Sequence, residues 1–187
     1  MAQSAVDVSN NALQRVGAAR ITSLTDNTPE ARACSAAFDA TRRSALRRYP
    51  WNFAIKRAQP APDTDTPLFD FDYQFTLPAD CLRVLRPNTP NLDWKIEGGK
   101  ILTNDGNTID VRYVADIEDV AAWDAAFYEV FAAALALRLR ERLTQSNAKM
   151  GPLKDEYKDA VAEARRADAF ESGPDEPPED DWLTARY

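Results

Sequence analysis

Histidine is absent from this chain and cysteine nearly so: 187 residues carry no His and only Cys34 and Cys81. Ser-His-Asp and Cys-His nucleophilic systems are therefore excluded, as are His-based zinc sites. Two Cys cannot supply a structural zinc tetrad. A single distant pair in a chain of this length reads as two ordinary reduced core residues. Long apolar runs are missing too. The longest, Val130 to Leu137, has eight residues, far short of the ~20 that span a bilayer, so no membrane partner is expected. Met1-Ala2-Gln3-Ser4 opens without a basic stretch leading into an apolar one, so no secretory signal is expected. Both phosphate-cradling patterns, G-x-G-x-x-G and G-x-x-x-x-G-K-[ST], are absent, which sets nucleotide binding aside. A basic surplus is lacking as well. The 23 Lys and Arg face 30 Asp and Glu, a net charge of −7, which argues against a general nucleic-acid binder. The expected class is a soluble protein, intracellular or assembled into a particle.

What remains is enough for a packed core. Apolar residues make up 44% of the chain and aromatics 10%, above the composition of disordered segments, and the length fits one domain, or one domain with a sub-domain inserted. Val6, Leu13 and Val16, with small residues between, predict a helix from Ser4 to Val16 closed by Gly17. A second helix opens with Thr28 as N-cap, Pro29 at the first helical position and Glu30 at the positive end of the dipole. Its buried stripe is Cys34, Ala37, Phe38, Thr41, Ala45 and Tyr49, and Pro50 ends it. Arg32, Arg42, Arg43, Arg47 and Arg48 lie on or near its other faces.

The period then changes from about 3.6 to 2. Trp51, Phe53 and Ile55 alternate with polar or small residues. Phe71, Tyr73 and Phe75 do likewise, followed by Leu82 and Val84, Trp94 and Ile96, then Ile109, Val111 and Tyr113. Gly98-Gly99 marks a two-residue hairpin, and Asn104-Asp105-Gly106-Asn107 the next turn. Five or six short antiparallel strands are expected, with Gln59 to Pro67 as a loop. Helix returns near Asp119. Phe127, Phe131, Leu135, Leu139 and Leu143 recur at steps of four, and the unbroken apolar stretch from Val130 to Leu137 calls for cover on more than one side. A last helix starts near Pro152, with Leu153, Tyr157, Val161, Ala164 and Phe170 on one face. From Glu171 to Tyr187 the composition turns acidic, with six acids against one Arg, yet this stretch finishes in Trp182, Leu183 and Tyr187. No internal repeat is present.

The expectation is an α+β chain divided as follows. Residues 1–50 form the first part of a helical domain and 51–116 an inserted antiparallel β sub-domain. Residues 117–171 form the second helical part and 172–187 an acidic arm. Carboxylates are the only route left to acid–base catalysis. Pairs such as Glu118 with Asp119 or Asp116 with Asp124 read more simply as helix caps and solvated faces. No catalytic residue, metal ligand or cofactor is expected. The arginines of the second helix read either as a solvated face or as partners for acids of a neighbouring subunit. Trp182, Leu183, Arg186 and Tyr187 read either as a tail docked on its own domain or as an arm that orders on a partner.

The arrangement resembles a known family. The segments Asn11-Ala12-Leu13-Gln14-Arg15-Val16-Gly17 and Ile21-Thr22-Ser23-Leu24 carry the resemblance. So does the Arg-rich helix that Pro29-Glu30-Ala31 opens and Tyr49-Pro50-Trp51-Asn52-Phe53-Ala54 ends. Further on, Tyr73-Gln74-Phe75-Thr76-Leu77-Pro78-Ala79-Asp80-Cys81-Leu82 belongs with them, as do the long helix from Phe127 to Leu143 and Ala164-Arg165-Arg166-Ala167-Asp168-Ala169. Trp182-Leu183-Thr184-Ala185-Arg186 closes the series. In this order and spacing they are similar to tail tubular protein A, the head-to-tail adaptor or gatekeeper of short-tailed bacteriophages. The resemblance implies a four-helix bundle with a β sub-domain inserted between helices 2 and 3. It also implies a virion protein that is not an enzyme: a twelve-membered ring below the portal, carrying the tail nozzle and fibres, through which DNA passes without sequence-specific binding. By position, Trp182, Leu183, Arg186 and Tyr187 are the portal-arm candidates, and Arg42, Arg43, Arg47, Phe131 and Leu135 the subunit-interface candidates. A net-acidic ring suits a channel that must not grip phosphate. Two rival readings stand beside this one: a tail-associated peptidoglycan or polysaccharide hydrolase using paired carboxylates, and a head-tail connector of a long-tailed phage. The second is disfavoured by the β insertion.

Overall fold

The computed structural model describes residues 3–87, 92–143 and 150–171. Among them the chain is mixed α+β, with four helices and two small antiparallel sheets. The helices are α1 (Ala5–Val16), α2 (Pro29–Arg48), α3 (Ala125–Leu143) and α4 (Met150–Phe170). All six strands fall between α2 and α3: β1 (Ile55–Ala58), β2 (Tyr73–Thr76), β3 (Cys81–Val84), β4 (Trp94–Glu97), β5 (Lys100–Thr103) and β6 (Val111–Ala115).

Local chemistry sets the helix ends. Ser4 accepts from the Asp7 amide at the start of α1, and Gly17, at φ 78°, closes it with its N–H on the Gln14 carbonyl; only glycine adopts that left-handed cap without strain. Thr28 accepts from the Ala31 amide at the start of α2. Asp124 receives the Ala126 and Phe127 amides ahead of α3. Asn10, buried in α1, donates to the Ile21 carbonyl at 2.9 Å and accepts the Ile21 amide at 2.8 Å. One side chain thus satisfies both backbone groups of a buried loop residue and pins the α1–α2 connection.

α3 is the centre of the helical layer and packs against α1, α2 and α4. Phe127, Phe131, Leu135 and Leu139 are fully buried, as are Val130, Ala132, Ala133 and Ala136. Aromatic rings fill the base of this layer. Phe131 lies 4.9 Å from Phe38 and 4.7 Å from Trp123, and Phe127 lies 5.3 Å from Trp51 and 5.0 Å from Phe53. Each such pair contributes about 0.5–1.5 kcal/mol beyond its buried area.

The strands form sheets ordered β1-β6-β3 and β2-β5-β4. A second, smaller core of Phe75, Ile101, Ile109 and Val111 joins them, with Val84 and Trp94 packed on it. Gly98 and Gly99, both at positive φ, make the β4–β5 hairpin that the sequence predicts. At Gly106 a methyl group would run into the outer end of the partly exposed Tyr73 ring, which would have to swing aside.

Three expectations are corrected. Trp51 and Phe53 do not alternate in a strand. Asn52–Ala54 is a 3-10 turn, the Trp51 indole donates to the Ala45 carbonyl, and both rings belong to the helical core. The chain is turning a corner here, and the aromatics face the layer they leave. Phe170 is 90% exposed, beyond the reach of the α3 contact that covers Leu153 and Ala164. Phe71 lies outside β2, after Asp70 at φ 68° has turned the chain.

Replacing Asn10 with Ala leaves the Ile21 amide and carbonyl buried without partners. The variant is expected to lose about 1–3 kcal/mol, measured by urea unfolding, with far-UV circular dichroism unchanged in the folded state.

Candidate functional site

Of the arginines of α2, Arg42 is the one turned inward. Arg42, whose side chain is 8% exposed, donates from Nε and Nη2 to both carboxylate oxygens of Asp116 at 2.8 and 3.1 Å. Its Nη1 reaches Asp39 Oδ1 at 2.6 Å, and Glu118 stands at 3.6 Å. The fork geometry of guanidinium and carboxylate makes this the strongest kind of side-chain pair. Hydrogen bonding to Asp116, with the surrounding acids, raises the Arg42 pKa further above its ordinary value, against the desolvation that would lower it. Arg43 stands at 3.7 Å from the same carboxylate and is largely exposed. Arg47 donates to the Leu82 carbonyl on β3. Arg48 bonds the Tyr157 hydroxyl of α4 at 2.8 Å and lies over its ring.

Asp80, from the Leu-Pro-Ala-Asp passage, performs a similar task for the sheet. It accepts from Lys56 on β1 at 2.7 Å and from the Tyr113 hydroxyl on β6 at 3.1 Å. The Lys56 bond, chiefly, holds its carboxyl below the usual range. Burial and the facing Asp80 push Tyr113 up to about 12. Asp168 near the end of α4 accepts the Asn52 amide through its carboxylate at 2.8 Å, and its carbonyl accepts from the Asn52 side chain at 2.7 Å. Desolvation raises its pKa, the Asn52 bond opposes this, and the charges of Glu171 and Asp124 add to it.

These contacts place the candidates on α2 and α3. Arg42 is spent on its own chain, and Phe131 and Leu135 have no exposed surface. The cover that α3 demanded comes from α1, α2 and α4. Arg43 and Arg47 keep exposed surface beside a hollow they line with Ser44, Cys81 and Leu82. Trp182, Leu183, Arg186 and Tyr187 lie outside the described residues. The carboxylates weighed for catalysis are engaged in structure: Asp116 with Arg42, Asp119 capping the turn at Val120–Ala122, Asp124 capping α3. Among the described residues no group of three or more Cys, Asp or Glu is placed to hold a metal ion, and no helix is long and apolar enough to cross a membrane.

The sequence reading passed over Asp116, Asp80 and Asp168 as partners. Asp39 could have been found, being three residues before Arg42 on one helix. Asp116 is 74 positions away, and no local signal links the two. No protein-family model matches the chain, and no curated protein matches it.

Arg42→Met should cost about 3–5 kcal/mol in chemical unfolding, because Asp116 keeps a largely buried charge, and Arg42→Met/Asp116→Leu should recover much of that loss. Asp168 gives a pH signature. Its folded pKa is raised, so its contribution is full below the unfolded value near 3.8 and is lost as pH rises through the folded pKa. Asp168→Asn should therefore melt above the parent at neutral pH, and the gap should close toward pH ~3.

Proposed function

We propose that this chain is a structural virion protein. Twelve copies would form an adaptor ring that joins the portal to a short tail and extends the DNA channel for genome retention and ejection. The reading carries no catalytic step and no cofactor. Its partners are further copies of itself, the portal protein, the tail nozzle protein and the tail fibres. DNA passes through without sequence-specific binding.

The observation that supports this reading most is the order of elements together with the motifs that mark it. Two helices, six strands and two helices follow one another, as the resemblance to tail tubular protein A requires. On this reading α1 to α4 are a four-helix bundle (1–50 and 117–171), and the strands are a sub-domain (51–116) inserted between its second and third helices. The Leu-Pro-Ala-Asp passage has a structural task that explains its place in the pattern, because Asp80 ties three strands together. The exposed surface of Arg43 and Arg47 is available for acids of a neighbouring copy, and the segment 172–187 is the arm that would reach the portal.

Native mass spectrometry tests the proposal, on the protein alone and after mixing with the portal ring of the same virus. A gain of about twelve subunits on the portal is the expected result. A chain that stays monomeric and ignores the portal would sink the reading.

A further inference from the structure

Antiparallel pairing of β1 with β6 sets Arg57 directly opposite Arg112. Like charges at facing positions of a sheet are destabilising, and both residues are exposed. Among the described residues neither has an ion-pair partner. The nearest acid in register is Asp110, whose carboxylate accepts from Gln59 at 2.6 Å. Because side chains alternate across a strand, Arg57, Gln59, Asp110 and Arg112 share one face of the sheet. It is also the face on which Val114 enters the helical core. Together with Ala58 and Val111 they line an open hollow of about 510 Å³. In a chain with an excess of acids, two facing arginines at the mouth of a groove have one acid beside them, Asp110, and no ion-pair contact among the described residues.

The chain holds a matching segment close by. Asp168 binds both the backbone and the side chain of Asn52, which fastens the end of α4 to the foot of β1. Arg57 lies five positions on, past the 3-10 turn Asn52–Ala54 and into β1, at most about 16 Å at ~3.3 Å per residue. Beyond Glu171 the sequence carries Asp175, Glu176, Glu179, Asp180 and Asp181, interspersed with Pro174, Pro177 and Pro178. At up to ~3.1 Å per residue, Asp175 to Asp181 can reach about 12 to 31 Å from Glu171, enough chain to span the stretch from Asn52 to Arg57. A tether this short holds the acids near the groove at an effective concentration on the order of millimolar.

We propose that Arg57 and Arg112 form the docking site for this chain's own acidic C-terminal segment, with carboxylates of Asp175–Asp181 pairing the two guanidinium groups. The docked segment is a stored form of the arm, and any partner that uses the arm must first displace it from the arginines. This proposal does not depend on the adaptor reading, since it concerns a single copy in the absence of partners.

The test uses the full chain labelled with ¹⁵N, comparing the parent with Arg57→Glu/Arg112→Glu. In the parent, amides of Asp175, Glu176, Glu179, Asp180 and Asp181 should carry shifts that the double variant loses. The same shifts should vanish from the parent as salt rises to about 0.5 M. Cleavage after Glu179 by a glutamate-specific protease should run roughly 3- to 10-fold faster in the variant. Amides of α3 serve as the control for folding. If the charge reversal disturbs them, Arg57→Gln/Arg112→Gln replaces it. Tail amides identical in parent and variant would overturn the proposal. Shifts that fade on dilution would also overturn it, by assigning the segment to a second copy. So would a short DNA duplex that occupies the arginines while the tail amides stay where they were, because the site would then be one for phosphate.

Discussion

α3 is the constraint on which the rest of the molecule depends. A helix whose middle is apolar all the way round cannot be stable against water on any side, and each large side chain on it gains about 1.5–3 kcal/mol only if something covers it. Three helices of the same chain provide the cover. Phe38 from α2, Val8 and Leu13 from α1, and Leu153 and Ala164 from α4 all belong to the same buried cluster as Phe131 and Leu135. The loops follow from that geometry: the α1–α2 connection must cross the layer, and Asn10 satisfies its buried backbone on the way.

Polar contacts then join the helical layer to the strands. Arg42 with Asp116, Arg47 with the Leu82 carbonyl and Asp168 with Asn52 each bind an element on one side of the corner to one on the other. Apolar packing is tolerant of small displacements, whereas a bidentate guanidinium–carboxylate pair fixes both distance and angle. The arrangement therefore fixes how the sheet sits on the helices more tightly than the aromatic rings alone could.

Helix boundaries were largely legible in the sequence, because capping chemistry is local. Ser4, Gly17, Thr28 and Pro29 all act at the positions their residue types predict. The hairpin at Gly98-Gly99 was legible for the same reason. The start of β1 was not, since Trp51 and Phe53 follow an alternating pattern yet are recruited by Phe127, a contact set by tertiary packing. The arginines of α2 were visible as a group but not in their roles, because Asp116 and Leu82 are distant in sequence. Apolar periodicity gave the right answer about which face of α3 is buried and could not say whose atoms bury it. The residues 172–187 hold the other candidates, and their sequence alone speaks for them.

The two cores are unequal, and that has a consequence for how the molecule opens. The helical core draws on four helices and the corner aromatics, while the core between the sheets rests on Phe75, Ile101, Ile109 and Val111 with a few half-buried neighbours. Among the described residues, strands β2, β4 and β5 pair only among themselves, and this small cluster links them to the other sheet. Such a unit opens at lower free energy than the whole fold. Its amides should exchange with solvent in events that leave the helices closed, the β end breathing while the helical core holds.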